Sequence, residues 1–209
     1  MGLLVHLRGP LAALAMLTLA ASAAQASSEL SEIEIASLHH GAAVIREQTI
    51  EDQGRRYVGG IAYIIIAAPP ARVLDTLDDV SAYQRLLPAT RQVRWLGMSR
   101  GGESIVQLEQ GTSVVHGSYV VRTRREAHGE GNATVIRFWL DARFPHDVDD
   151  AQGYFRAEPL GDQTLLTYGA WVDLGSGVLR RLLERRVQRM VLSTPARVKT
   201  YVEALPPFG

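Results

Sequence analysis

Between residues 42 and 172 the apolar positions fall mostly at strand spacing, in runs broken by short polar turns. Residues 42–50 read as a first strand, 51–56 as a turn, and 57–67 as the returning arm of a hairpin. Residues 63–67 are apolar throughout, as in a buried strand. Pro69 and Pro70 stop that strand because proline cannot donate to a sheet ladder. Pro70 suits the first turn of a helix, where its missing N–H costs nothing. Val73, Leu74 and Leu77 give this helix an apolar face, and Asp78-Asp79 ends it. Ser81 is predicted to cap a second short helix carrying Tyr83, Leu86 and Leu87, which Pro88 terminates. Residues 90–98 then alternate as a strand, and so do 103–110, with Val106, Leu108 and Gln110 on one face. Residues 114–124 form a further strand and 130–132 a turn. Residues 134–142 alternate with Ile136, Phe138 and Leu140 together. Residues 153–159 and 164–172 make a last hairpin around Gly161-Asp162. Upstream, residues 29–40 carry Ile33, Ile35 and Leu38 and read as a short helix or an ordered arm. Strands at this spacing, joined by tight turns, imply an antiparallel meander.

From residue 177 the period changes. Val178, Leu179, Leu182, Leu183, Val187, Met190, Val191, Val198 and Val202 recur at helical spacing to about residue 205. Such a helix spans about 43 Å, at about 1.5 Å per residue. Ser176 is the predicted N-cap. Pro195 lies inside the pattern, removes one backbone hydrogen bond, and is expected to kink or break the helix.

The order strand, two short helices, strand over residues 63–96 resembles the opening of the START-like (SRPBCC) superfamily. This group includes polyketide cyclase/dehydrase-like and coenzyme-Q-binding-like proteins. The residues that carry the resemblance are Ala68-Pro69 after the strand, Val73 and Leu77 in the first helix, Asp79-Val80-Ser81 with Tyr83 at the junction, and Leu87-Pro88 before the next strand. Residues 153–160 and 164–168 resemble the last sheet hairpin, and Val172-Asp173-Leu174-Gly175 the turn into the gripping helix. Two departures are Ala157, where relatives place a bulky apolar residue, and the lack of a proline soon after Gly175. The resemblance spans roughly residues 40–205. It implies an α+β helix-grip fold, a curved antiparallel sheet wrapped around the long C-terminal helix, with residues 70–87 closing one end of a cavity. Relatives bind lipids, quinones or polyketides.

Side chains alternate at period two along a strand, so one parity of each strand faces the gripping helix. That parity selects Trp95, Val106, Leu108, Phe138, Leu140, Phe155 and Tyr168 as cavity lining, with Tyr83 and Leu87 at the mouth. Leu183, Val187 and Met190 complete it from the helix. The alternative is that the same side chains fill a solid core.

The N-terminus sets an expected compartment. Arg8 precedes an uncharged apolar run of about 14 residues, 11–24, short of the roughly 20 that a membrane span needs. Ala24-Gln25-Ala26 places small residues for cleavage before Ser27, with Ala21-Ser22-Ala23 as a second site and an uncleaved anchor as the alternative. The expected organisation is an export signal at 1–26, an arm or short helix at 27–41, a START-like domain at 42–205 and a tail at 206–209. The protein is then exported, to the periplasm or beyond. There is no cysteine, which excludes a lipoprotein anchor, disulfides, thiol catalysis and cysteine metal sites. About 180 remaining residues suffice for one core.

The chain has 22 basic and 22 acidic residues, and removing Arg8 with the signal leaves 21 against 22. Nothing in this balance points to nucleic acid. Basic residues are nearly all arginine, Lys199 being the one lysine.

Catalytic motifs are absent from the sequence: no GxSxG, no phosphate loop, no dinucleotide fingerprint. His39-His40 are neighbours and do not share a helix face. His146, Asp147, Asp149 and Asp150 cluster in a predicted loop, read as a solvated acidic loop because the spacing matches no metal motif. No cofactor and no metal are called for. Five arginines, Arg180, Arg181, Arg185, Arg186 and Arg189, crowd the polar side of the last helix. They form either a solvated face or a transient contact with anionic lipid headgroups, diluted by Glu184.

Three functions follow. The first is non-catalytic binding or carriage of a hydrophobic small molecule. The second is a cyclase/dehydrase-like enzyme, which would need His116, Tyr168 or Arg122 facing the cavity. The third is an envelope interaction module with a filled cavity.

Overall fold

The computed structural model describes residues 30–111, 116–127 and 133–206. The expected export segment, the start of the strand predicted at 114, the turn at 130–132 and most of the tail lie outside them.

Eight strands form one antiparallel sheet: β1 Val44–Asp52, β2 Arg55–Ile66, β3 Thr90–Met98, β4 Ser104–Gly111, β5 His116–Ala127, β6 Thr134–Leu140, β7 Asp150–Leu160 and β8 Gln163–Asp173. Their order is β1-β2-β8-β7-β6-β5-β4-β3. The sheet is curved, and its concave face holds the C-terminal helical segment. The helices are α1 Glu32–His39, α2 Pro70–Asp78, α3 Tyr83–Leu86, α4 Val178–Leu192 and α5 Thr194–Ala204. This is the helix-grip architecture expected from the sequence.

Several local expectations are corrected. The side chain of Asp79, not Ser81, makes the cap: it accepts from the Ser81 N–H and opens a 3-10 turn at Val80–Ala82, while α3 has no side-chain cap. Gly177, not Ser176, is the N-cap of α4, with φ at +135° and no capping side chain. Pro195 breaks the long helix outright. Its missing N–H would have met the Val191 carbonyl; instead the Thr194 hydroxyl donates to that oxygen at 2.7 Å, and Ser193 donates to the Met190 carbonyl at 2.7 Å. The break thus leaves those carbonyls satisfied, and Pro195 sits in the first turn of α5.

β2 is buried from Tyr57 to Ile66 because both of its faces are covered. On the concave side Ile64 and Ile66 join Val73, Leu77, Leu166, Val198 and Val202. On the convex side Tyr57, Ile61, Tyr63 and Ile65 join Tyr154, Trp171 and Leu38 of α1. Gly59 and Gly60 let β2 pass close to its neighbours. A Cβ on Gly59 would lie 1.8 Å from the Ala170 carbonyl oxygen, and one on Gly60 2.1 Å from that of Arg46. Gln188 of α4 donates to the Gly59 and Gln48 carbonyls at 2.9 and 3.0 Å, tying the helix to this bend.

α1 is held by a capping box between Ser31 and Glu34 and by Arg46 of β1, which donates to Glu34 at 2.9 and 3.1 Å. The Arg46 guanidinium and the Ser31 N–H pull the Glu34 carboxyl down from 4.5 to about 2. A depressed carboxylate pKa contributes stability above the unfolded value that is lost as pH falls through the folded one. The docking of α1 is therefore expected to weaken between pH 4.5 and about 2. Protection of the amides of residues 32–39, taken relative to the intrinsic exchange rate at each pH, should fall over that window, and a Glu34→Gln variant should show the flatter profile.

Candidate ligand-binding cavity

The concave faces of β4 to β8 and the roof of α2, α3, α4 and α5 do not meet completely. The reason is the size pattern of the floor. Phe138, Phe155 and Tyr168 stand on adjacent strands, with Phe155 and Tyr168 rings 4.6 Å apart and Phe138 5.9 and 6.1 Å from them. Beside them β7 and β8 carry Ala151, Gly153 and Ala170. The Phe138 ring lies over Gly153, where a Cβ would come within 2.3 Å of it. Large rings next to small residues leave an inner chamber of about 80 Å³. Its walls include Leu108, Gln110, Tyr119, Val121 and Ile136, and its roof Leu77, Leu86, Met190 and Thr194.

An outer bowl of about 370 Å³ adjoins it. The two share Gln110, Tyr119, Val172, Met190 and Val191. Leu174, Leu183, Val187 and Val148 give the bowl apolar walls, and His116, Asp147 and Arg186 give it a polar rim. The loop after β6 forms one side of this rim because it is latched to β5. The Asp141 and Asp147 N–H groups donate to the Val120 and Ser118 carbonyls, and the Asp147 carboxylate accepts from the Ser118 N–H at 2.8 Å.

The inner chamber is lined by no ionisable acid or base other than phenols. Burial pushes the phenols of Tyr83, Tyr119 and Tyr168 well above their usual range, so they stay neutral. The Tyr83 hydroxyl donates to the Leu77 carbonyl at 3.0 Å. Tyr119 donates to the Gln110 side-chain oxygen, and the Gln110 amide donates to the Thr90 hydroxyl at 2.8 Å. Polar groups are thus held within the chamber without a fixed charge.

Of the residues selected from the sequence, Tyr83, Leu87, Leu108, Phe138, Phe155, Tyr168 and Met190 line the inner chamber, and Leu183, Val187 and Met190 the outer bowl. Tyr83 and Leu87, expected at a mouth, lie against the inner chamber instead. Val106 is fully buried in the concave core, and Leu140 is buried at the end of β6; neither lines either chamber. Trp95 is the clear correction: it is 57% exposed. It shares parity with Val106, its register partner, but β3 is the outermost strand and a register irregularity follows at Trp95/Gly97. The selection from the sequence passed over Gln110, Tyr119, Ala151, Ala170 and Thr194, which are polar or small, and also the apolar Val121 and Ile136.

The candidate catalytic groups do not converge. His116 is exposed on the outer rim, and Tyr168 is buried in the inner chamber. Arg122 points to the opposite face of the sheet, paired with Asp141 at 2.8 Å and Glu103 at 3.1 Å. His39 and His40 are both exposed, and His40 bonds back to the Ala36 carbonyl. The loop read as solvated and acidic is more engaged than expected: besides Asp147, Asp150 accepts from the Tyr57 hydroxyl at 2.8 Å and from Arg55 at 3.1 Å. Among the described residues no three His, Asp or Glu side chains are grouped to hold a metal.

Solved structures with the same fold include a STAR-related lipid transfer protein fragment from Xanthomonas axonopodis. It is 15% identical, with a TM-score of 0.60 over 75% of this chain and 98% of that one. A START superfamily protein from Mycobacterium smegmatis is 18% identical, with a TM-score of 0.56 over 70% and 97% of the two chains. The Zhui aromatase/cyclase from Streptomyces sp. R1128 is 20% identical, with a TM-score of 0.55 over 76% and 94%. At these identities the likeness establishes the fold. No curated protein sequence matches the chain. The family model for polyketide cyclase/dehydrase and lipid transport proteins matches residues 62–203, from the buried half of β2 through most of α5, and the chain belongs to that family.

Proposed function

We propose that this protein binds and carries a neutral, hydrophobic small molecule in the cell envelope, loading and releasing it at a membrane surface. The observation that supports this reading most directly is a cavity whose inner chamber has apolar walls, neutral phenols and no fixed charge. A buried ionised ligand group would need a charged partner there, and the inner chamber offers none. The outer bowl falls in the range of about 300–1,000 Å³ typical of pockets for drug-sized ligands. Family membership and the lipid transfer and aromatase/cyclase names of the structural neighbours support ligands of lipid or polyketide type. Cyclase-like chemistry is the weaker reading, because His116, Tyr168 and Arg122 do not meet around one substrate position.

The test is equilibrium binding of Nile red, a neutral apolar fluorophore, to the purified protein. Saturable one-site uptake with a blue-shifted emission is expected. Uptake that is absent in the folded protein would favour a filled cavity and an interaction role.

The envelope setting is supported by Arg8, the short apolar run and Ala24-Gln25-Ala26. Protein recovered from an envelope fraction is expected to begin at Ser27 by N-terminal sequencing. An intact Met1 species in the membrane pellet would contradict export with cleavage.

A further inference from the structure

The outward face of α4 is cationic and has no acidic partners of its own. Arg181, Arg185, Arg186 and Arg189 are exposed, and among the described residues none of them forms an ion pair. Glu184, the one acid of α4, does not dilute this face. Its carboxylate is held by Arg56 of β2 at 3.2 Å, with its side chain only 19% exposed. The helix geometry explains the separation. At about 100° per residue, Glu184, Gln188 and Leu192 share the side turned to the sheet, and Leu183, Val187 and Met190 the side turned to the bowl. Arg185 and Arg189 fall on the remaining side together with Leu182, which is 73% exposed. Arg186 lies at the border and also lines the rim of the bowl.

We propose that this face is the docking surface for an anionic phospholipid bilayer. The proposal deepens the carrier reading and rests on it for the purpose of the contact, not for the contact itself. Four exposed guanidinium groups without an acidic partner among the described residues, on a chain whose formal net charge is zero, are a segregated charge, and lipid phosphates are its complement. Leu182, surrounded by arginines, supplies the apolar side chain that an interfacial helix buries at the headgroup boundary. The described part of this face carries no aromatic side chain on which a nucleic-acid base would stack. The face also adjoins the bowl through Arg186, so docking brings the cavity opening to the lipid.

The test compares the wild-type protein with a triple variant, Arg181→Gln, Arg185→Gln and Arg189→Gln. None of these residues lines either chamber, and glutamine keeps good helix propensity. A control triple variant, Arg91→Gln, Arg94→Gln and Arg100→Gln, removes the same charge from exposed positions on or beside β3. Each is mixed with phosphatidylcholine vesicles, with and without phosphatidylglycerol, and co-sedimentation is measured. The wild type and the control are expected to sediment with the phosphatidylglycerol vesicles only, and to be released by salt. The α4 triple variant should bind at least about tenfold more weakly. Equal binding by the α4 variant, equal binding to neutral vesicles, or preferential capture by duplex RNA in competition would each overturn the proposal. Nile red uptake is measured on the same samples. Uptake kept by the α4 variant, with vesicle binding lost, is the expected pattern. Vesicle binding without Nile red uptake in the wild type would instead refute the carrier reading and leave the docking face standing.

Discussion

Replacing Leu108 by tryptophan is expected to remove ligand uptake while leaving the protein folded. Leu108 stands on the concave side of β4, is 3% exposed, and borders the inner chamber opposite the roof. In a solid core an added indole would force its neighbours off their rotamers at a cost of about 1–3 kcal/mol. Here the indole has the chamber to grow into, so the expected change in unfolding free energy is at the low end of that range, about 1 kcal/mol. The ligand, by contrast, loses the volume it would occupy, and uptake should fall at least about a hundredfold. Phe138→Trp tests the same chamber from β6, but its ring already lies over Gly153, so that variant is expected to disturb the floor as well. Paired urea unfolding and Nile red titration separate the two effects. A large stability loss with undiminished uptake would place the ligand elsewhere.

The second large effect is on stability and lies on the other face. Asp141 is 4% exposed and accepts from Arg122 at 2.8 Å and from Arg143 at 2.6 and 2.8 Å. Removing one member of such a buried pair strands the other charge and typically costs about 3–5 kcal/mol. Asp141→Ala is expected to destabilise by about 4 kcal/mol, or roughly 10 °C in Tm for a chain of this size. Glu103 remains 3.1 Å from Arg122 and holds the loss within that range. The triple variant Asp141→Ala, Arg122→Met and Glu103→Gln should recover much of the loss, because none of the three is then left as a charge without its partner. If the single variant is as stable as the wild type, the Asp141 carboxylate does not stabilise the fold through Arg122 and Arg143.

Much of the architecture was legible in the chain. The alternation of Ile136, Phe138 and Leu140, the proline stop at Pro69-Pro70 and the helical spacing after residue 177 each answer to local geometry, and the structure places those elements where the pattern puts them. The cavity was only half legible. Parity found Leu108, Phe138, Phe155 and Tyr168 because they are large and apolar. It could not see that Ala151, Gly153 and Ala170 matter by being small, since an empty volume is set by what neighbouring strands lack. It passed over Tyr119 and Gln110, whose polar atoms read as surface until their bond to each other is seen. Trp95 failed for a different reason: parity assigns a face but not cover, and an edge strand can leave a correctly facing side chain in solvent. Caps were the least legible feature, because Ser81, Asp79 and Ser176 are all competent cap residues and only the backbone path decides among them.

The convex core was also hidden. A run such as residues 57–66 signals burial on both faces, but nothing local says that α1 supplies part of the second cover. Glu34 and Arg46, twelve residues apart in the chain, provide that link in the fold.

An apolar molecule is expected to occupy the space between the sheet and the last helices. Native mass spectrometry of protein purified without detergent from its native source tests this most directly. Wild-type protein should carry a small neutral mass that organic extraction releases, and Leu108→Trp should carry none. Folded wild-type protein of bare polypeptide mass that also fails to take up Nile red would contradict it.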